Sequence, residues 1–204
     1  DDTSACEAVA FCGPGEGFVA AATSEKDVVC EACEMGVTFN NVSDVQTLCL
    51  QVATCAAGFG LSQSPTFTTD TVCEPCVAGE TFNSVDDSTT TCTVIATCEE
   101  GQGVTQVATA STNTICSDCE EGVSFNNTND ATSTCQAAST CPVGQGVAVA
   151  STNTEDTICE ACVAGQNYSD SDDLTACLTV SSCEAGFGVA TEATAAADTQ
   201  CEAC

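Results

Sequence analysis

Apolar and polar residues alternate in short stretches of this chain and never form a long periodic run. A typical stretch begins at a pair of glycines, continues through Thr, Val, Ser and Ala, and ends at a cysteine, as between Gly101 and Cys116. Alternation over a few residues is typical of a half-buried strand, whereas an amphipathic helix needs apolar residues at every third or fourth position. The pattern therefore predicts short antiparallel strands and loops with little or no helix.

The cysteines reveal a repeat. The block C-x5-C-x17-C-x2-C occurs five times at a period of 43 residues, shortened by one in the step to the last copy. Non-cysteine positions recur with it, which indicates a tandem array whose units contact mainly their neighbours. An aromatic residue stands in each of four copies and is predicted to be the largest buried group there: Phe39, Phe82, Phe125 and Tyr168. An aspartate precedes each block and is predicted to form a turn: Asp1, Asp44, Asp87, Asp130 and Asp172.

Each copy also carries a C-x2-G-x-G motif, as at Gly58 and Gly60. Glycine that recurs at a fixed position in the repeat predicts a backbone conformation with positive φ or the close approach of another segment.

Composition explains why the cysteines matter. Leu, Ile, Val and Phe together account for 37 of the 204 residues, whereas 20 residues are Cys. So few apolar residues cannot build an ordinary core, and a disulfide framework can replace one by restricting the unfolded chain. Disulfides persist in oxidising compartments, so the sequence predicts an extracellular protein, secreted or at the cell surface.

Charge excludes several classes of function. The net charge is −29, Lys26 is the sole basic residue, and the chain has no His. Such a chain repels phosphate backbones and anionic lipid surfaces, which excludes nucleic acid and direct membrane binding. Without His, the common hydrolase triads cannot form. We predict a protein that is not an enzyme and needs no cofactor.

One segment shows a family resemblance clearly. It runs Asp70-Thr71-Val72-Cys73-Glu74-Pro75-Cys76-Val77-Ala78-Gly79-Glu80-Thr81-Phe82. This C-x2-C-x2-G-x-x-F pattern, closed by Asp-Thr-x-Cys, resembles the cysteine-rich repeats of tumour necrosis factor receptors. The chain departs from the commonest repeat of that family by having four cysteines per unit instead of six.

The resemblance implies a disulfide pairing in which the two cysteines of C-x2-C belong to different bridges. One set of implied pairs is Cys33 with Cys49, Cys76 with Cys92, Cys119 with Cys135, and Cys162 with Cys177. The other is Cys12 with Cys30, Cys55 with Cys73, Cys98 with Cys116, Cys141 with Cys159, and Cys183 with Cys201. Cys6 and Cys204 then lack partners, so we expect the chain to continue at both ends or to join neighbours end to end. The family also implies unit boundaries: a partial repeat over 1–30, repeats over 33–73, 76–116, 119–159 and 162–201, and the start of another at 202–204.

Alternatives remain open at this point. Pairing inside each block of four cysteines leaves no orphan and allows three connectivities. Zinc bound by four thiolates would add negative charge to an acidic chain, and a redox role for C-x2-C would need an electropositive setting. Acidic clusters such as Asp86 and Asp87 match no dedicated calcium loop.

Three sequons predict N-glycosylation in the turn region near the recurrent aromatic residue, at Asn41, Asn126 and Asn167. The resulting picture is an elongated array of small disulfide-rich repeats. Its main functional hypothesis is an extracellular structural protein, a filament, stalk or appendage that self-associates or continues a longer repeat chain. The alternative is the ectodomain of a cell-surface receptor of the tumour necrosis factor receptor type that binds a protein ligand.

Overall fold

The computed structural model describes residues 8–204. Those residues form eighteen short strands, β1 to β18, and no helix. The strands pair in sequence order as two-stranded antiparallel sheets. This confirms the predicted class of short strand pairs and loops.

Long and short hairpins alternate along the chain. The long hairpins are β1 (Glu16–Ala20) with β2 (Val29–Ala32), β5 (Phe59–Gln63) with β6 (Val72–Pro75), β9 (Gln102–Gln106) with β10 (Ile115–Asp118), β13 (Gln145–Val149) with β14 (Ile158–Ala161), and β17 (Phe187–Thr191) with β18 (Gln200–Ala203). The short hairpins are β3 (Thr38–Phe39) with β4 (Leu50–Gln51), β7 (Thr81–Phe82) with β8 (Thr93–Val94), β11 (Ser124–Phe125) with β12 (Gln136–Ala137), and β15 (Asn167–Tyr168) with β16 (Leu178–Thr179). Each long hairpin contains a register shift of the kind that marks a β-bulge.

A disulfide closes each kind of hairpin. The long hairpins are closed by Cys12–Cys30, Cys55–Cys73, Cys98–Cys116, Cys141–Cys159 and Cys183–Cys201. The short hairpins are closed by Cys33–Cys49, Cys76–Cys92, Cys119–Cys135 and Cys162–Cys177. Each of the first four C-x2-C pairs therefore links a long hairpin to the short hairpin that follows it. Cys204 carries an exposed free thiol, and Cys6 lies outside the described residues.

Sulfur fills the interior of the hairpins. The buried apolar residues in the described part of the chain are eight half-cystines, Val104 and Phe125. The prediction for the aromatic residues holds at Phe125 alone, since Phe39, Phe82 and Tyr168 are half-buried. The largest fully buried side chains are instead amides: Asn40, Asn83 and Asn126.

Each buried amide ties neighbouring hairpins together. The Asn40 side-chain nitrogen donates to the Glu16 carbonyl at 2.6 Å, and its side-chain oxygen accepts from the Val42 amide at 3.0 Å. Its backbone amide donates to the Phe67 carbonyl of the next long hairpin at 3.0 Å. Asn83 and Asn126 make equivalent bonds. Because this buried amide keeps its hydrogen bonds, it stabilises the contact between the neighbouring hairpins.

The two glycines of each G-x-G motif have different roles. Gly58 has φ of 89°, a conformation that other residues rarely adopt. Gly60 instead allows a close approach, because a Cβ there would stand 2.3 Å from the Cys92 amide nitrogen. The same clash recurs at three further positions: Gly17, Gly103 and Gly146.

The turn aspartates accept backbone hydrogen bonds from the preceding long hairpin. The Asp44 carbonyl accepts from the Cys12 amide at 3.0 Å, while the carboxylate accepts from Gln46 and Thr47. In the fourth copy this role belongs to Asp173, whose carbonyl accepts from the Cys141 amide. The turn aspartate of this copy is therefore Asp173 and not the predicted Asp172. The one-residue deletion in the shortened copy lies between the turn aspartate and the next Cys.

Contacts divide the chain into two compact units. The first comprises Asp1–Ile95 and Ala108–Asn113, and the second comprises Ala96–Val107 and Thr114–Cys204. Each unit contains long hairpins alternating with short ones.

Candidate functional site

A groove of about 450 Å³ lies beside β1 and β2 in the first unit. Phe18, Val19 and Leu48 supply its apolar side chains, and Glu31 and Glu34 supply carboxylates. The other lining residues are Gly17, Ala32, Thr38 and Cys49. Apolar surface and two acidic groups thus converge on one concave site, the first-repeat groove.

Backbone contacts between a long and a short hairpin shape this groove. The Phe18 amide donates to the Thr47 carbonyl at 2.8 Å, which holds the segment leading to Leu48 against β1. Gly17, without a Cβ, lets Cys49 approach. Glu31 is paired with Gly17 in the strand register, so no opposing side chain covers it on the neighbouring strand. The Cys33–Cys49 disulfide crosslinks the same junction.

The groove side chains are open to solvent. Val19 is 53% exposed and Leu48 is 60% exposed. Glu31 and Glu34 are exposed as well, and no basic residue lines the groove. Clustered exposed apolar side chains with a polar rim are typical of interaction sites.

Other repeats do not reproduce this combination. Leu48 is replaced at equivalent positions by Thr91, Thr134 and Ala176. Val19 is replaced by Ser62, Thr105 and Ala148. Glu34 is replaced by Val77 and Val163 and retained as Glu120. The first-repeat groove is therefore a surface specific to one copy of an otherwise regular array.

A second kind of groove recurs and serves as a contrast. In the first unit its lining includes Gly36, Leu61 and Pro65. Equivalent residues line grooves in the second unit: Gly122, Val147 and Ser151, and again Gly165, Val189 and Ala193. A groove that recurs in this way follows from the packing of every repeat.

The turn aspartates form the main electrostatic feature of the hairpin junctions. At Asp87, the Thr90 hydroxyl donates to the carboxylate at 2.6 Å, and the Thr89 and Thr90 amides donate at 2.9 and 2.7 Å. These bonds favour the charged form and lower the pKa of Asp87 to about 2. Hydroxyl and amide donors also lower the pKa of the equivalent residues Asp44, Asp130 and Asp173.

This arrangement makes stability depend on pH in acid. Because the folded pKa of Asp87 lies below that of an unfolded Asp, about 3.9, ionised Asp87 stabilises the fold above about pH 4. That contribution is lost as pH falls toward about 2. Carboxyl-carbon NMR titration should show an Asp87 midpoint near 2, and Thr90→Val, which removes the hydroxyl donor, should raise it. A midpoint near 4 in the unsubstituted protein would contradict this arrangement.

The three sequon asparagines differ in their exposure to solvent. Asn41 is exposed, and Asn167 is half-buried with its side-chain oxygen accepting from the Val163 amide. Asn126 is 1% exposed, and its side-chain nitrogen donates to the Gln102 carbonyl at 2.6 Å. Since a sugar would attach to that nitrogen, glycosylation of Asn126 is incompatible with this packing. Asn126 occupies the buried amide position of Asn40, and its sequon looks the same as one in the exposed turn.

No group of three or more His, Cys, Asp or Glu side chains in residues 8–204 is placed to hold a metal ion. No helix in that range has the length and apolar character needed to cross a membrane.

The hairpins and their disulfides define a class: tandem arrays of small, disulfide-rich repeats. Comparison with known proteins narrows it, since residues 119–159 match the TNFR/NGFR cysteine-rich region. Residues 119–159 thus contain a cysteine-rich repeat of the tumour necrosis factor receptor type, as the sequence resemblance predicted.

Solved structures are similar to this chain at low sequence identity. A chain of the human RANKL/OPG complex is 23% identical with a TM-score of 0.36, and the similarity covers 78% of this chain and 94% of that one. A chain of the mouse RANKL-OPG complex is 20% identical with a TM-score of 0.31, covering 63% of this chain and 90% of that one. No curated protein sequence matches significantly.

Proposed function

We propose that this chain is a non-enzymatic, extracellular array that binds a protein partner through the first-repeat groove. The observation that carries the proposal is the groove itself, which brings exposed Val19 and Leu48 together with two carboxylates in one copy only. An array that only spaces other parts has no need for a distinct apolar surface. The match of residues 119–159 to a receptor cysteine-rich region supports the same class.

The chemistry of the chain supports a binding role without catalysis. The turn aspartates have lowered pKa values because hydrogen bonds stabilise their charged forms, so they stay ionised at neutral pH. General acid catalysis near neutral pH requires the opposite shift. Disulfides in every described repeat suit an oxidising, extracellular setting.

A capture experiment tests this function. The immobilised chain is exposed to proteins secreted by the source organism, beside a Phe18→Val, Leu48→Thr variant. Other repeats already carry these residues at the same positions, as at Val104 and Thr91, so the variant should fold. We expect saturable retention of a protein by the unsubstituted chain and at least tenfold weaker retention by the variant, about 1.4 kcal/mol. Equal retention by both would refute the proposal.

A second candidate is the structural filament or stalk. It is favoured by a main-chain contact that recurs inside both units, from the first Cys of a long hairpin to the turn Asp that follows. The pairs are Cys12 with Asp44, Cys55 with Asp87, Cys98 with Asp130, and Cys141 with Asp173. Electron microscopy of native material separates the candidates, because a filament protein should form ordered fibres and a receptor ectodomain should not.

A further inference from the structure

We propose that the first-repeat groove receives an arginine side chain from the protein partner. The guanidinium would lie between the carboxylates of Glu31 and Glu34, and apolar residues beside the arginine would pack on Val19 and Leu48. This inference rests on the proposed function, because it specifies the partner chemistry of the same groove.

Charge selects a cationic partner. Glu31 and Glu34 line the groove, no basic residue faces them, and the chain carries a net charge of −29. A partner that buried these carboxylates without a cation would leave charges desolvated and unpaired, which is costly. An anionic or purely apolar segment is therefore disfavoured at this site.

The groove lining favours arginine over lysine. Phe18 lines the groove, and a planar guanidinium can stack on an aromatic ring. Guanidinium also donates several hydrogen bonds in a fixed plane, whereas an ammonium is a compact and strongly hydrated charge. A site with two carboxylates and one aromatic ring uses the planar geometry of arginine.

The rest of the chain provides an internal comparison. Glu31 has counterparts at Glu74, Glu160 and Glu202, and Glu34 has one at Glu120. No other copy joins both acids with apolar side chains at the positions of Val19 and Leu48. General attraction of cations to an acidic chain would act on every repeat, whereas the proposed site acts on the first.

The test uses the isotope-labelled chain and two dipeptides, N-acetyl-leucyl-arginine amide and the same compound with uncharged citrulline. We expect the arginine dipeptide to shift backbone amide NMR signals of Gly17, Phe18, Glu31 and Leu48, with much smaller shifts at Gly60, Leu61 and Glu74. Citrulline should bind roughly tenfold more weakly, since it keeps the shape and loses the charge-assisted bonds. Shifts spread evenly over all repeats would overturn the proposal.

Matched variants isolate the two carboxylates. Glu31→Gln with Glu34→Gln should weaken arginine dipeptide binding roughly tenfold. Glu160→Gln with Glu120→Gln removes the same charge at the same repeat positions elsewhere and should leave binding within about twofold. Equal weakening in both variants would show that net charge, not the groove, binds the dipeptide.

Failure of this inference is distinguishable from failure of the proposed function. If the captured protein is lost with Phe18→Val and Leu48→Thr but retained with Glu31→Gln and Glu34→Gln, the groove binds a partner that is not cationic. The arginine proposal then falls and the binding function stands. If neither pair of substitutions affects capture, both fall.

Discussion

Replacing Gly60 with alanine should strongly destabilise the second long hairpin, by about 3 kcal/mol or more. The new Cβ would stand 2.3 Å from the Cys92 amide nitrogen and 2.7 Å from its sulfur. Neither atom can move aside freely, because the sulfur is bonded to Cys76 and the nitrogen belongs to the backbone. The short hairpin must therefore separate from β5 to admit the methyl group.

Gly79→Ala is the matched control for this substitution. Gly79 has φ of 81°, yet no atom lies within 4 Å of a Cβ placed there. The cost should be about 1–2 kcal/mol, from backbone conformation alone. Native-state hydrogen exchange of the β5 and β6 amides measures the difference locally. A Gly60→Ala cost no larger than that of Gly79→Ala would show that the close approach is absent in solution.

Replacing Asn40 with alanine should cost about 3 kcal/mol. The substitution removes a side chain that is itself 1% exposed, and it leaves the Glu16 carbonyl and the Val42 amide without this hydrogen-bond partner. Loss of a hydrogen-bonding partner from a buried site costs about 1–3 kcal/mol. The cavity left by the amide adds to this loss.

Adjacent residues provide the controls for Asn40. Asn41→Ala should change stability by less than about 0.5 kcal/mol, because Asn41 is exposed. Asn40→Ser should lie between the two, since Ser169 occupies the equivalent position in the fourth copy. Hydrogen-exchange protection of the backbone amides near Glu16 and Val42 measures the loss of stability. Equal costs for Asn40→Ala and Asn41→Ala would contradict the assigned role of the buried amide.

Regular features of the fold were accessible from the sequence. Alternation between Gly101 and Cys116 predicts a strand pair, and β9 and β10 occupy that stretch. The twin glycines at Gly58 and Gly60 were expected to serve positive φ or close approach, and the structure assigns one role to each. These features depend on local spacing, which repetition makes visible.

Features that depend on contacts between distant residues were not accessible. Asn40 looks like an ordinary turn residue, and its burial depends on Glu16 and Phe67, in two other hairpins. The recurrence of Asn directly after Phe in three copies was the available signal. The first-repeat groove was missed because Phe18, Glu31 and Leu48 come from three separate segments. Counting back from the next Cys predicts Asp172 instead of Asp173, because the one-residue deletion lies between the turn aspartate and that Cys.

The disulfide pairing underlies every contact described above, so non-reducing peptide mapping tests the account most directly. Cleavage after acidic residues releases Ala32-Cys33-Glu34, which separates Cys33 from Cys30. Cleavage after Asp44 and Asp70 places Cys49 in the peptide 45–70. The structure predicts that these two peptides remain joined until reduction, together with the peptide 71–74, whose Cys73 is bonded to Cys55 in the peptide 45–70. Attachment of the Cys33 peptide to one that contains Cys6, Cys12 or Cys30 would contradict it.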